Sequence, residues 1–147
     1  MLNRFFLEKI SDNFPFSFTD DQLAALEHIS DFLFSGMNDQ IVLLTGYAGT
    51  GKSSLIGSLV KTMAAFDQKT LLLAPTGRAA KVFSTYASHP AYTIHKKIYR
   101  QEKFGEGTVH FSLSENLHTH TLFIVDEASM IYNESADNSL FGTGRLL

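Results

Sequence analysis

The chain has 147 residues, the usual size of one domain; 44% are apolar and 18% charged, a globular composition rather than a disordered one. It contains no cysteine, which excludes a disulfide scaffold, a thiol nucleophile and cysteine-bound zinc. The net charge of −3 conceals a pattern: residues 1–51 sum to −5, residues 52–103 to +7 and residues 104–147 to −5. The basic middle block suits a polyanion, or is a set of ordinary solvated lysines. No apolar run approaches the roughly 18 residues of a membrane span. Glu8 and Asp12, close behind Met1, do not suit a signal peptide, so a reducing cytoplasm is the expected compartment.

In chain order, Leu2 to Asn13 reads as a short amphipathic helix stopped by Pro15. The phenylalanines around it (Phe5, Phe6, Phe14, Phe16 and Phe18) read as packing rather than as a base-stacking platform. Thr19 is a good N-cap, and Gln22 three residues on completes a capping box. Leu23, Leu26, Ile29 and Leu33 follow at helical spacing, and Gly36 ends the helix. Ile41-Val42-Leu43-Leu44 reads as a buried strand. A Gly-rich turn and a helix with Leu55, Ile56, Leu59, Val60 and Met63 on its apolar face come next.

Thr70 to Ala74 reads as a second buried strand, closed by Pro75. Thr76 can cap a helix whose inward face is Ala79, Val82, Phe83 and Tyr86; Thr93 can cap a shorter one holding Ile94 and Ile98. Arg100 to Gly107 reads as a polar loop, and the alternation of Val109, Phe111 and Leu113 as an exposed strand. His118 and His120 alternate on strand spacing, but no carboxylate stands near them at metal-ligand spacing. Leu122 to Val125 is a third buried strand, ending in Asp126-Glu127. Strands alternating with helices predict an α/β fold with a parallel sheet flanked by helices.

Gly46-Tyr47-Ala48-Gly49-Thr50-Gly51-Lys52-Ser53 matches the P-loop pattern. Its glycines let the backbone curl so that successive N–H groups face phosphate oxygens. The helix that follows adds its positive end. Lys52 is placed to reach the β and γ phosphates, and Ser53 to ligate Mg²⁺. The partner is an acidic residue at the end of another buried strand, and Asp126 stands there; it can hold Mg²⁺ through water. Glu127, next to it, is free to orient or deprotonate an attacking water. Lys52, Asp126 and Glu127 are thus the candidate catalytic residues. Gly46, Ala48, Gly49, Thr50, Gly51, Lys52, Ser53 and Ser54 are the candidate nucleotide-binding set, with a nucleoside triphosphate and Mg²⁺ as the cofactors.

Three further pieces stand in order: Ala74-Pro75-Thr76-Gly77-Arg78-Ala79-Ala80-Lys81, then Thr93-Ile94-His95-Lys96-Lys97, then Asp126-Glu127-Ala128-Ser129-Met130. Together with the P-loop, over about residues 18 to 132, this resembles the RecD-like helicases of superfamily 1B. The resemblance implies a RecA-like P-loop NTPase domain, with the P-loop as motif I and Asp126-Glu127 as motif II. It implies that Pro75, Thr76, Gly77 and Arg78 (motif Ia) and Thr93 and His95 (motif Ib) touch single-stranded DNA. Gln22 falls where the family's Q motif reads the adenine edge, which implies ATP. The residues themselves also allow plainer roles: Thr76 and Thr93 as caps, His95 as a surface histidine, Gln22 as part of a capping box. Arg78, Lys81, Lys96, Lys97 and Arg100 supply charge for a phosphate backbone, and Tyr92 or Tyr99 a surface for a base.

The resemblance also implies parts that this sequence does not show. Motif III, its strand and the arginines of a second RecA-like domain have no counterpart between Ile131 and Leu147, and Arg145 stands in no recognisable finger motif. The expectation is the N-terminal part of a larger helicase. Residues 1–36 would form an N-terminal helical segment and residues 37–147 a partial ATPase domain with a gap in its central sheet. A nuclease or recombination partner belongs to that picture. The alternatives are a nucleotide-binding regulatory module of a nuclease complex and a P-loop kinase.

Overall fold

The structure is a computed structural model, and it describes residues 2–37, 39–104 and 108–131. The contacts divide the chain into two compact units: residues 1–68 with 86–88, and residues 69–85 with 89–147.

The first unit is helical. It holds α1 (Leu2–Asn13), α2 (Asp20–Phe34) and α3 (Lys52–Ala65). The Thr19 hydroxyl accepts from the Gln22 amide, and the Gln22 side chain accepts from the Thr19 amide, so the capping box is complete. Two of the four orphan N–H groups at this terminus are thereby satisfied. At the other end Ser35 is the C-cap and Gly36 takes φ +67, the left-handed turn that glycine makes without a Cβ clash.

Helix α1 packs against both α2 and α3. Phe6 and Ile10 on α1, Leu26 on α2 and Leu55 and Met63 on α3 are buried. Phe6 sits edge-on to Phe34 at 5.9 Å and to Phe66 at 6.2 Å, the aromatic geometry that favours ring edge on ring face. A polar tie reinforces this packing: Asn13 Nδ2 donates to Thr62 Oγ1 at 3.0 Å, and Ser58 Oγ donates to the Asn13 carbonyl at 3.0 Å. Helix α3, which follows the P-loop, is thus fastened to α1. The phenylalanine-rich start does pack, although Phe5 and Phe16 remain exposed.

The second unit carries a three-stranded sheet in the order β2 (Ala91–Thr93), β1 (Lys69–Ala74), β5 (Thr121–Val125), and β1 is parallel to both neighbours. Leu71 to Ala74 are buried, as expected for a central parallel strand. Helix α4 (Gly77–Ala87) connects β1 to β2, and α5 (Ile94–Ile98) follows β2 directly. Leu71, Leu73 and Ile94 form a buried cluster with Tyr92, Ile98 and Ile131 against it. The protein is therefore α/β with a parallel sheet and helical connections.

Several sequence expectations change here. Ile41 to Leu44 is not a strand, and Ile41 and Leu43 are 92% and 76% exposed. An apolar run signals a tendency to be buried, but a strand also needs a neighbour for its N–H and C=O groups. Among the described residues nothing pairs with it. Arg100 to Phe104 is not loop: β3 (Tyr99–Phe104) pairs antiparallel with β4 (Thr108–Leu113), and the rest of the expected loop, 105–107, lies outside the described residues. Backbone pairing does not depend on apolar side chains, so a polar ribbon escapes a hydrophobicity reading. His118 and His120 precede β5 instead of lying on it, and His120 has φ +49, so strand alternation does not apply to them. Val82 is 56% exposed; the buried stripe of α4 runs through Ala80, Phe83 and Ala87 instead. Phe123 and Val125 are 42% and 39% exposed and alternate with the half-buried Leu122 and Ile124, so one face of β5 is the more exposed. The segment expected to resemble an unfinished helix, residues 145–147, lies outside the described residues.

The packing around α1 makes a direct prediction. Phe6→Ala should destabilise the protein by about 3–5 kcal/mol, while Phe16→Ala, at an exposed ring, should stay within about 0.5 kcal/mol. Urea denaturation of the two variants compares them; equal losses would contradict the assigned core.

Candidate functional site

The P-loop lies in the first unit, between residue 45 and the start of α3 at Lys52. Gly49 and Gly51 take φ +80 and +85, the left-handed region that other residues enter only with strain. Such turns aim neighbouring N–H groups into one concavity, an anion-binding arrangement. The loop is closed on itself by hydrogen bonds. Thr50 Oγ1 donates to the Tyr47 carbonyl at 2.8 Å. The Lys52 ammonium donates to the same carbonyl at 2.7 Å and to the Gly46 carbonyl at 2.5 Å. A Cβ on Gly46 would stand 3.0 Å from Thr50 Oγ1, so a side chain there would press on that closure.

Gln22, far away in sequence, reaches this loop. Its Nε2 donates to the Thr50 carbonyl at 3.0 Å while its Oε1 stays in the capping box. A Cβ at residue 51 would lie 2.7 Å from Gln22 Nε2, so the Gln22 amide would have to move off the Thr50 carbonyl. The capping-box role expected of Gln22 is present, and so is a contact with the loop.

Ser53 is exposed and Ser54 half-buried, both in the first turn of α3. The donor set therefore comprises backbone N–H groups from two left-handed turns, one ammonium and one free-standing hydroxyl at a helix N-terminus. That set fits a polyphosphate with its divalent cation. Among the described residues no cluster of three or more His, Cys, Asp or Glu could hold a metal by itself. A Mg²⁺ carried by phosphates needs only one or two protein oxygens.

In the second unit the register of the sheet gathers the remaining candidates. Ala74 pairs with Thr93, and Leu73 with Val125. The strands are parallel, so their C-terminal ends fall on one edge. From that edge leave Pro75-Thr76-Gly77-Arg78, Ile94-His95 and Asp126-Glu127. Asp126 extends the ladder, its N–H donating to the Leu73 carbonyl at 3.0 Å, and its Oδ1 accepts from the Glu127 N–H at 2.9 Å. Asp126 is half-buried; Glu127 is exposed and has φ +54, an uncommon conformation for a residue with a side chain.

Thr76 and Thr93 are caps. Thr76 Oγ1 accepts from the Ala79 N–H at 3.2 Å, and Thr93 Oγ1 from the Lys96 N–H at 3.3 Å. A groove of about 390 Å³ runs between α4 and the β2–α5 segment, lined by Gly77, Lys81, Tyr92, Thr93 and Lys96 among others. Among the described residues Arg78, Lys81 and Lys96 form no ion pair. One face of the Tyr92 ring is taken by the Lys97 ammonium at 4.1 Å, and Tyr99 stacks on His95 at 5.7 Å. The aromatic candidates are thus already engaged with cations or rings of the chain itself. The side chain of Arg100 lies outside the described residues.

The signals missed from sequence were of two kinds. The contact from Gln22 to Thr50 joins residues 28 positions apart, which no local pattern announces. The strained Glu127 backbone is invisible in composition. No helix among the described residues is long and apolar enough to cross a membrane.

The loop geometry predicts unequal glycine substitutions. Gly49→Ala meets nothing within 4 Å and should cost only the left-handed strain, about 1–2 kcal/mol. Gly51→Ala adds a collision with Gln22 and should cost more; replacing Gln22 by Ala as well should recover part of the difference, as a double-mutant cycle in urea would measure.

A family model for the AAA domain matches residues 17–141. The chain is also 30% identical over 133 residues to the uncharacterized protein MJ1519 of Methanocaldococcus jannaschii; the match covers 83% of this chain and 11% of that protein. The chain therefore spans about a tenth of the length of that curated relative. The extent of the family match, with the P-loop and the parallel sheet, makes this a nucleotide-binding domain of the ATPase type, and the chain belongs to the AAA domain family.

Proposed function

We propose that the chain is the N-terminal motor domain of an ATP-dependent helicase or translocase that moves on single-stranded DNA. The observation that carries this reading is the shared edge of the parallel sheet. In-register strand ends present the Pro75–Arg78 turn, the Thr93 cap and the Asp126-Glu127 pair together. In open α/β sheets this edge is where ligands bind. The three segments resemble the helicase motifs Ia, Ib and II in their order along the chain. A kinase has no need of the first two, nor of the second carboxylate.

The roles follow from the chemistry available. The P-loop N–H groups from Gly46 to Ser54 and the Lys52 ammonium bind the phosphates of ATP. Ser53 would supply a hydroxyl ligand to Mg²⁺, which would neutralise charge on the phosphates; Asp126 is the carboxylate that the motif II resemblance assigns to the same ion. Glu127 orients the attacking water and takes its proton at the carboxylate. The α4 N-terminus at Thr76–Arg78 offers N–H groups, and Lys81 and Lys96 flank the groove with positive charge, so a DNA backbone phosphate is matched on both counts. His95, exposed on α5, stands at the same edge. A second RecA-like domain and a nuclease or recombination partner complete the proposed machine, and its compartment is the cytoplasm.

The full-length protein should show ATP hydrolysis stimulated by single-stranded DNA. Glu127→Gln should retain ATP binding and reduce turnover at least a hundredfold, a typical loss for a general base. Lys52→Ala should weaken the binding of ATP itself, read by equilibrium binding of a fluorescent analogue. Arg78→Ala with Lys81→Ala should lower DNA stimulation and flatten its salt dependence while leaving DNA-independent turnover in place. Turnover indifferent to DNA would remove the translocase reading; normal turnover in Glu127→Gln would remove Glu127 from its role.

A further inference from the structure

We infer that Gln22 is a positioning residue for the phosphate-binding loop, acting through the Thr50–Gly51 peptide instead of through the base of the nucleotide. The inference rests on the P-loop reading above and concerns how that loop is held. The Gln22 amide has an acceptor end and a donor end, and both are committed. Oε1 accepts from the Thr19 N–H at 3.0 Å, and Nε2 donates to the Thr50 carbonyl at 3.0 Å. The two partners fix which end is which, because only an oxygen can accept from an N–H and only the NH₂ can donate to a carbonyl.

The consequence lies in the peptide plane. None of the described peptide bonds is cis. In a trans peptide the C=O and the following N–H point in opposite directions across a rigid plane. Holding the Thr50 carbonyl toward α2 therefore turns the Gly51 N–H the other way, as a phosphate donor requires. Residue 51 must also be glycine for this contact, since φ is +85 and a Cβ would stand 2.7 Å from Gln22 Nε2. The Thr19 N–H, a backbone donor that does not depend on the Thr19 side chain, pins the Gln22 Oε1 at the start of α2, whose Leu26 is buried.

A base-reading glutamine and a loop-positioning glutamine differ in what they discriminate. The first affects ATP but spares GTP and inorganic tripolyphosphate. The second affects all three alike, because all three use the phosphate cradle. The test is equilibrium binding of ATP, GTP and tripolyphosphate to the full-length protein and its Gln22→Met, Gln22→Glu and Thr19→Ala variants. Gln22→Met should weaken all three ligands by a similar factor, about three- to tenfold, the scale of one lost hydrogen bond. Gln22→Glu keeps the capping-box acceptor but lacks the donor, and should weaken all three at least as much. Thr19→Ala removes a cap without touching the Thr50 contact and should leave all three unchanged.

A loss confined to ATP would overturn the inference in favour of base reading, as would unchanged binding in both Gln22 variants. An equal loss in Thr19→Ala would overturn it by assigning the effect to helix capping. Failure of the underlying P-loop reading looks different: Lys52→Ala would then leave tripolyphosphate binding at the wild-type level, and the role of Gln22 would fall with it.

Discussion

Parallel pairing is the constraint on which the candidate site depends. A parallel strand cannot be joined to its neighbour by a tight turn, so each C-terminal end must release the chain into a loop or helix on the same side. Around β1 this happens with β2 on one flank and β5 on the other, and the register aligns Ala74 with Thr93 and Leu73 with Val125. Residues separated by some fifty positions are thereby delivered to one edge. The local chemistry is then simple. A threonine after each of β1 and within β2 caps the next helix, and a carboxylate pair follows β5. Capping and ligand binding are compatible at such a terminus, because one hydroxyl satisfies one N–H and leaves others free.

The helical unit solves a different problem, which is how to hold a glycine-rich loop. Glycine makes the left-handed turns at 49 and 51 accessible but does not select them, since it is equally free elsewhere. Selection comes from contacts. Thr50 and Lys52 close the loop onto the Tyr47 carbonyl from within, and Gln22 grips the Thr50 carbonyl from α2. Behind them, the buried ring of Phe6 and the hydrogen bonds of Asn13 with Ser58 and Thr62 fasten α1 to its neighbours. An otherwise unremarkable N-terminal helix is therefore part of what fixes α3, and α3 is what presents Lys52 and Ser53.

Strain marks the end of β5. Glu127 adopts φ +54 although it is neither glycine nor asparagine. Such a conformation costs about 1–3 kcal/mol and survives only where the surroundings determine it. Here the surroundings are the Asp126 carboxylate, which accepts the Glu127 N–H, and the short turn of 3₁₀ helix at Ala128–Met130. The backbone thus leaves β5 and enters the 3₁₀ turn within two residues of the strand's end.

Local rules were enough for the elements whose signals are local. The helix from Leu2 to Asn13, the Thr19–Gln22 capping box, the stop at Gly36, the central strand near Thr70–Ala74 and the caps at Thr76 and Thr93 were all legible, because caps, periodicity and turn residues act within a few positions. The P-loop and the acidic pair were legible as residue types in order. What the chain's own pattern left open was every property that needs a distant partner. Whether Ile41–Leu44 is a strand depends on a neighbour, and it has none among the described residues; whether Arg100–Phe104 is a strand depends on β4, which pairs with it. The sequence by itself determined which residues are candidates for phosphate-binding and acid–base chemistry. Tertiary structure alone decided that β1 is central, that the motif ends share an edge and that Gln22 reaches the loop, because hydrogen-bond partners far apart along the chain are chosen in space and not in sequence.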